Sequence, residues 1–288
     1  MKCFTTLSDY NFLAKGLALY KSLIKTTSDF ILCYLTLDSK SYDTLTKLNL
    51  PNLKVYDISN LELLDPELVA AKNSRPYNEY CWTLASYFTQ YILATENPES
   101  VMYIDSDIYF YNNIDLIYQE IDTKSVGILL HRHNYVGHPD GAYNVGVVYF
   151  KNSEMGTACL SWWRDAVLYK KYPHLQTCGD QKYLEEFIPR FGEEHVHVID
   201  KIGHGAPWNY RLYNMTDLPA SIIYNNVKQI FVFNHFSRFS YNSTAFYYTS
   251  NQYLDHTINN QIFLIPQLDQ LYKDYYTCII NIHKEYNI

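Results

Sequence analysis

Two carboxylates one residue apart, Asp105 and Asp107 with Ser106 between them, follow directly on the apolar run Val101-Met102-Tyr103-Ile104. Four apolar residues are too few for a helix and suit a strand buried on both faces. Ligands of open α/β sheets bind just beyond the carboxyl ends of the strands, so this pair stands at the mouth of a site. If the strand continued, the two acids would alternate to opposite faces, whereas a turn at Ser106 lets them converge. Converging carboxylates repel. A hard divalent cation such as Mg²⁺ or Mn²⁺, with further oxygens from a substrate diphosphate, is their natural partner. An Asp-x-Asp triplet also caps helices and solvates turns by chance, so the rest of the chain has to decide.

Other residues with chemistry to offer stand at the ends of apolar segments. Asn144 lies in Gly141-Ala142-Tyr143-Asn144-Val145-Gly146, beside a strand start. Asp180 and Gln181 open a helix in Gly179-Asp180-Gln181-Lys182-Tyr183-Leu184. Gly203-His204-Gly205-Ala206-Pro207-Trp208-Asn209-Tyr210 is a polar loop with a large aromatic, and Asn234-His235-Phe236-Ser237-Arg238 follows a strand. Each alone has a structural explanation as an N-cap, a turn, a core plug or a satisfied histidine. Their occurrence together is harder to dismiss.

The elements that must position them alternate. A short strand at 2–6 breaks at Leu7-Ser8-Asp9-Tyr10-Asn11, and Phe12, Leu13, Leu17, Leu19, Tyr20 and Leu23 form a helical stripe. A strand at 30–35, a helix near 42–48 and a strand at 53–56 follow. Residues 78–94 read as a helix with Trp82, Ala85, Phe88 and Ile92 near one face. Then come a helix at 113–120, strands at 126–130 and 145–150, helices near 155–170 and 181–187, and strands at 195–199 and 230–233. This alternation predicts an α/β fold in one domain, with a mostly parallel sheet and crossover helices.

Composition narrows the classes. At 288 residues, 48% hydrophobic and 18% charged, the chain buries a proper core. Its net charge of -7 argues against general nucleic-acid binding, which needs a basic footprint. The six cysteines (Cys3, Cys33, Cys81, Cys159, Cys178, Cys278) contain no C-x-x-C pair and read as thiols. The start, Met1-Lys2-Cys3-Phe4-Thr5-Thr6, turns polar too early for a signal peptide, and no apolar run is long enough to span a bilayer. A cytoplasmic location follows as the expectation, with the sequons at Asn214 and Asn242 idle.

Taken in order, the set resembles the metal-dependent, retaining GT-A glycosyltransferases of the family that contains glycogenin and the bacterial lipopolysaccharide glucosyl- and galactosyltransferases. The matching pieces are Thr5-Thr6-Leu7, Ala14-Lys15-Gly16 and Ser22-Leu23; Arg75 before Tyr80-Cys81-Trp82-Thr83; and the Asp105-Ser106-Asp107 triplet, the DXD motif. Asn144-Val145-Gly146-Val147, Gly179-Asp180-Gln181, Trp208-Asn209-Tyr210 and His235-Phe236 complete it, so that roughly residues 2–240 are covered. Asp180-Gln181-Lys182-Tyr183-Leu184 with Ala206-Pro207-Trp208-Asn209 also resembles a bacterial subgroup of predicted nucleotide-sugar transferases.

The resemblance implies a Rossmann-like GT-A domain over 1–260 and a helical tail over 261–288. It implies that Asp105, Asp107 and His235 bind Mn²⁺ or Mg²⁺ bridging the two phosphates of a nucleotide-diphosphate sugar, a UDP-hexose, with Ser106 beside them. Thr5, Thr6 and Leu7 begin the loop that holds base and ribose, with Tyr10 or Phe12 stacking. Arg75 contacts the nucleotide or its phosphates, and Asn144, Asp180 and Gln181 line the sugar and anomeric centre. Where the family follows its histidine with glycine and then Lys-Pro-Trp, this chain has Phe236-Ser237-Arg238-Phe239, so Arg238 takes the phosphate role.

The implied reaction transfers a hexose to a hydroxyl of a glycan, lipid-linked glycan or protein with retention. Asp180 serves either as nucleophile or as a positioning group. A sugar-nucleotide-binding module without turnover and an aspartyl-phosphate phosphatase are the competing readings. A homodimer stays open, as does a peripheral membrane contact through Tyr272, Lys273, Tyr275, Tyr276, Lys284 and Tyr286.

Overall fold

The computed structural model describes residues 1–133, 138–172, 174–175, 179–242, 247–250 and 265–288. Cys178, Ser243, Thr244 and positions 261–264 lie outside the described residues. The first half runs β1 (Lys2–Ser8), α1 (Leu13–Thr26), β2 (Phe30–Thr36), α2 (Ser39–Leu48), β3 (Leu53–Asp57), α3 (Ile58–Leu64), α4 (Pro66–Ser74), α5 (Tyr77–Glu96), β4 (Ser100–Ile104) and β5 (Ile108–Phe110). Next come α6 (Asp115–Ile121), β6 (Val126–Leu130), β7 (Tyr143–Lys151), α7 (Glu154–Leu168), α8 (Phe187–Phe191), β8 (Val196–Ile199) and β9 (Gly203–Gly205). The chain closes with β10 (Tyr213–Asn214), β11 (Ser221–Tyr224), β12 (Val227–His235), β13 (Phe239–Asn242), β14 (Tyr247–Ser250) and α9 (Pro266–Tyr286).

Seven strands form the central sheet in the order β3-β2-β1-β4-β7-β6-β8. Every pairing is parallel except those of β7, which runs against both its neighbours. Both faces are covered, and β4 shows how. Met102 and Ile104 point into the core under α1 and α9, while Val101 and Tyr103 point into the core under α5 and α7. That two-sided burial is why the run before Asp105 reads as continuously apolar.

A second, five-stranded sheet, β10-β11-β12-β5 with β9 also on β12, lies beyond the carboxyl end of β4. The sequence ended its strands at 230–233; β12 instead extends to His235, and a β13–β14 hairpin follows it. The helices α3 and α4 also went unread, although Asp57 and Asp65 cap them and Pro66 occupies the first turn of α4. In place of the expected 181–187 helix, Gln181–Glu186 form a 3-10 helix that runs into α8.

The C-terminal helix α9 does not present its aromatic residues outward. Tyr272, Tyr275 and Tyr276 are at most 5% exposed and pack into the core shared with α1. The Tyr275 ring stacks on Phe236, centroids 3.8 Å apart, immediately after β12. A membrane contact through these three rings is therefore corrected: burial has already used them. No helix among the described residues is long and apolar enough to cross a membrane.

Candidate active site

The chain leaves β4 at Ile104 and turns over Ser106. The Ile108 N–H donates to the Asp105 carbonyl (3.1 Å), and the Asp105 N–H donates to the Gly146 carbonyl of β7 (3.0 Å). This turn carries the chain out of the central sheet into β5, which pairs antiparallel with β12 so that Ile108 stands opposite His235. The Phe236 N–H locks the join by donating to the Asp107 carbonyl (2.9 Å). The two carboxylates consequently converge on one imidazole: His235 Nε2 lies 3.0 Å from Asp107 Oδ1 and 3.6 Å from Asp105 Oδ2. One ligand atom from each of the three side chains lies within 4.8 Å of the others. The Tyr103 hydroxyl donates to Asp105 Oδ1 (2.7 Å) from the strand below.

Electrostatics at this cluster are those of a site short of positive charge. Burial pushes the Asp105 carboxyl up, against the pull of His235. Burial alone would also raise Asp107, but the imidazole's charge and hydrogen bond, with Lys15 behind them, bring it below the ordinary range. Burial would lower His235, yet the two carboxylates hold its proton above the usual imidazole range. A proton on His235 thus does the work a cation would do. His235 Nδ1 is buried without a hydrogen-bond partner. Two carboxylates and an imidazole suit Mn²⁺ or Mg²⁺, so the residues present fit a divalent ion. Gly146 makes room for the arrangement, since a Cβ there would come within 2.6 Å of Asn144 Oδ1 and 2.9 Å of His235 Nδ1.

A cavity of about 660 Å³ opens over this cluster, within the range of small-molecule sites. Asp180 also lines it and is only 2% exposed. Its carboxyl is pushed well up by burial and by the charge of Asp105, and its Oδ2 has no hydrogen-bond partner. Gln181 Oε1 accepts from Asn144 Nδ2 (2.8 Å), while its Nε2 donates to the Asp140 carbonyl (2.7 Å). Asn144 Oδ1 in turn accepts from the Gly146 N–H (2.9 Å). Asn144 and Gln181 therefore lock each other beside the Asp105 turn. Gly179 adopts a left-handed backbone (φ 61°), and a Cβ there would meet the Trp82 ring at 2.3 Å. Trp82 thus lies over the turn that delivers Asp180.

The other sequence-predicted residues divide. Leu7, Phe12, Ser106 and Arg238 line the cavity. Thr5 and Thr6 do not: both are fully buried inside β1, where Thr5 Oγ1 shares a hydrogen bond with Thr89 Oγ1 (2.8 Å). Tyr10 turns away as well, its N–H donating to Asp38 and its ring lying 3.6 Å from the Lys40 ammonium. Arg75 is outside the cavity. Held extended before Pro76, it donates to Thr83 Oγ1 and to the carbonyls of Val167 and Leu168, tying α5 to the end of α7.

Other residues at the site had no role assigned from the sequence, although Lys15, Trp82 and Trp208 stood in the matching segments. Lys15 is 4% exposed, its ammonium 4.2 Å from the centre of the Phe12 ring and its charge felt by Asp107. A lysine inside the apolar face of α1 was the available signal. Tyr77 and Trp82, the N-terminal face of α5, reach the cavity as exposed aromatics. Trp82 continues the apolar stripe one turn past the sheet edge, so it meets the cavity instead of the core. His131 also lines the cavity; its Nδ1 donates to the Gly141 carbonyl (3.1 Å), and burial pushes its pKa down to about 2. Trp208 stands edge-on to both His131 (4.8 Å) and His235 (5.3 Å), its Nε1–H donating to the His131 carbonyl (2.9 Å).

No protein-family profile matches the chain. It is 31% identical over 245 residues to the uncharacterized protein YfnF of Bacillus subtilis, covering 78% of this chain and 77% of YfnF. It is 28% identical over 247 residues to YfnD of the same organism, also uncharacterized, covering 82% and 78%. Among solved structures it is similar to mouse xyloside xylosyltransferase 1 (TM-score 0.54, 16% identity, 81% of this chain and 97% of that one). It is similar too to the galactosyltransferase LgtC, solved with donor and acceptor sugar analogs (TM-score 0.51, 16% identity, 81% and 86%). The fold is thus the GT-A fold expected from the sequence, an α/β domain with a mostly parallel central sheet.

Proposed function

The chain belongs to the family of Bacillus subtilis YfnF, and we propose that it is a metal-dependent glycosyltransferase. It moves a hexose from a UDP-sugar to a hydroxyl of a glycan, lipid-linked glycan or protein, keeping the anomeric configuration. One observation carries this reading: Asp105, Asp107 and His235 converge on one another in the lining of a cavity that Asp180 also lines.

Asp105, Asp107 and His235 would hold a Mn²⁺ or Mg²⁺ ion, which supplies charge compensation to the diphosphate as the sugar–phosphate bond breaks. The chain's own groups do the rest. Tyr103 and the Phe236 N–H keep the carboxylates in register. Lys15, whose own pKa is lowered by burial, adds positive charge that pulls the Asp107 carboxyl down. Arg238 is exposed at the rim, where a guanidinium pairs well with phosphate oxygens. Leu7, Asp9, Phe12 and Tyr77 line the part of the cavity at the carboxyl end of β1 and receive the nucleoside. Asp180 faces the sugar, either attacking the anomeric carbon or fixing the ring while the acceptor enters on the leaving-group side. Gln181, oriented by Asn144, bounds the same space.

UDP release from UDP-glucose and UDP-galactose, measured with Mn²⁺ and with EDTA, tests the reading. Metal-dependent release is expected, and Asp107→Asn should lower turnover at least ~100-fold, the scale of losing one strong electrostatic stabiliser. Binding of the UDP-sugar without turnover by the wild type would leave a sugar-nucleotide-binding module. Metal-dependent phosphate release from an aryl phosphate would instead favour an aspartyl-phosphate phosphatase.

A further inference from the structure

A second group of possible ligands lies at the rim of the cavity, apart from the Asp105 turn. The His133 and His138 rings stack, centroids 3.6 Å apart and 14° between planes, and the His131 ring lies tilted at 50° against His133 with centroids 3.7 Å apart. Asp140 stands beside the outer ring, its Oδ2 3.7 Å from His138 Nδ1. That nitrogen carries a lone pair directed toward Asp140, since it accepts the Asp140 N–H (3.2 Å). One ligand atom each of His133, His138 and Asp140 lies within 4.8 Å of the others, and all three residues are half-buried. Packing alone does not call for imidazoles here. A stack needed only to fill space would be served by tyrosine, which this chain uses thirty times.

We propose that His133, His138 and Asp140 form a second cation site, separate from Asp105, Asp107 and His235, that takes a borderline transition ion such as Zn²⁺ in preference to Mg²⁺. Two imidazoles and one carboxylate are the ligand types zinc favours, whereas magnesium favours sites richer in oxygen, such as two carboxylates with one imidazole. Bonds of about 2.0–2.2 Å in a tetrahedral site bring neighbouring ligand atoms to within about 3.3–3.5 Å. The side chains therefore have to close by about 1 Å, and the His133 and His138 rings, within 14° of parallel here, have to turn so that both in-plane lone pairs meet at the ion. A cation would take the His138 lone pair in place of the Asp140 N–H. It would also stiffen one wall of the active-site cavity, because Asp140 lines that cavity and its carbonyl holds Gln181.

The site can be tested without reference to glycosyl transfer. The full chain with Asp105→Asn and Asp107→Asn, which disables the first cluster, is titrated with Zn²⁺ against a chromogenic chelator. One equivalent of Zn²⁺ should be retained, and adding His133→Asn with His138→Asn should abolish it. Asp140→Asn alone, which preserves side-chain shape, should weaken retention at least ~10-fold, the lower end of losses from altered metal surroundings. Melting curves in EDTA check that each variant folds. Equal Zn²⁺ retention with and without His133 and His138, or none in the Asp105→Asn, Asp107→Asn chain, would overturn the proposal. Mn²⁺ binding at the first cluster of the wild type is a separate measurement, so the two can fail independently.

Discussion

Two carboxylates closed around one imidazole hold a proton that the unfolded chain would release more readily. Burial opposes a charge on His235, but Asp107 and Asp105 outweigh it and raise its pKa. The stabilisation this gives is complete below the ordinary imidazole range and is lost as pH rises through the raised value. Asp180, also raised, changes stability in the same direction. The melting temperature of the metal-free protein should therefore fall from neutral toward mildly alkaline pH. Mn²⁺ should restore it there, and binding should weaken in acid because the ion displaces the proton. A flat profile without metal would contradict the charge arrangement. Gly146 makes a second residue-scale prediction. With 2.6 Å and 2.9 Å to Asn144 and His235, Gly146→Ala should displace the imidazole and weaken Mn²⁺ binding at least ~10-fold in a direct titration. At this scale the sequence singled out Asp105, Asp107, Asn144, Asp180, Gln181 and His235, which the structure brings together around one cavity. It was uninformative about facing. Nothing in Thr5-Thr6 says which neighbour a strand residue will meet, and Arg75 turned to α7 because Pro76 held its backbone extended.

Among elements, the decisive pairing is β5 with β12, for it brings a histidine 130 positions downstream of Asp105 to the Asp105 turn. β5 has only three residues, too few to show a periodicity, and β9, β10 and β11 have three, two and four. Apart from the 230–233 part of β12, the second sheet was therefore illegible, while the long apolar strands and the helix leading to β4 could be read. The end of β12 is held in place by α9 through the Phe236–Tyr275 stack. Tyr275→Ala, which empties a fully buried ring site, should cost about 3 kcal/mol in denaturant unfolding. Because Phe236 follows His235 directly, the same change should weaken Mn²⁺ binding. Lost stability with unchanged Mn²⁺ affinity would show that α9 acts on the core alone.

Over the whole molecule, strand–helix alternation sufficed to predict an α/β fold with a mostly parallel sheet, because a buried parallel sheet leaves continuous apolar runs behind. The position of the site followed from the same logic. The carboxyl ends of β1 and β4 border the cavity, and β7, running against its neighbours, presents Asn144 and Gly146 at that end. The tail was misread in one respect: tyrosines that suggested an interface prove to be core, since amphipathic composition does not identify the surface a helix will cover. The central claim is that Asp105, Asp107 and His235 hold one cation against a diphosphate. Electron paramagnetic resonance of free Mn²⁺, titrated with the full chain in the presence of UDP, measures it directly. The account predicts one tightly bound ion that UDP strengthens and that His235→Ala and Asp107→Asn each release. Equal Mn²⁺ binding by the wild type and both variants would contradict it.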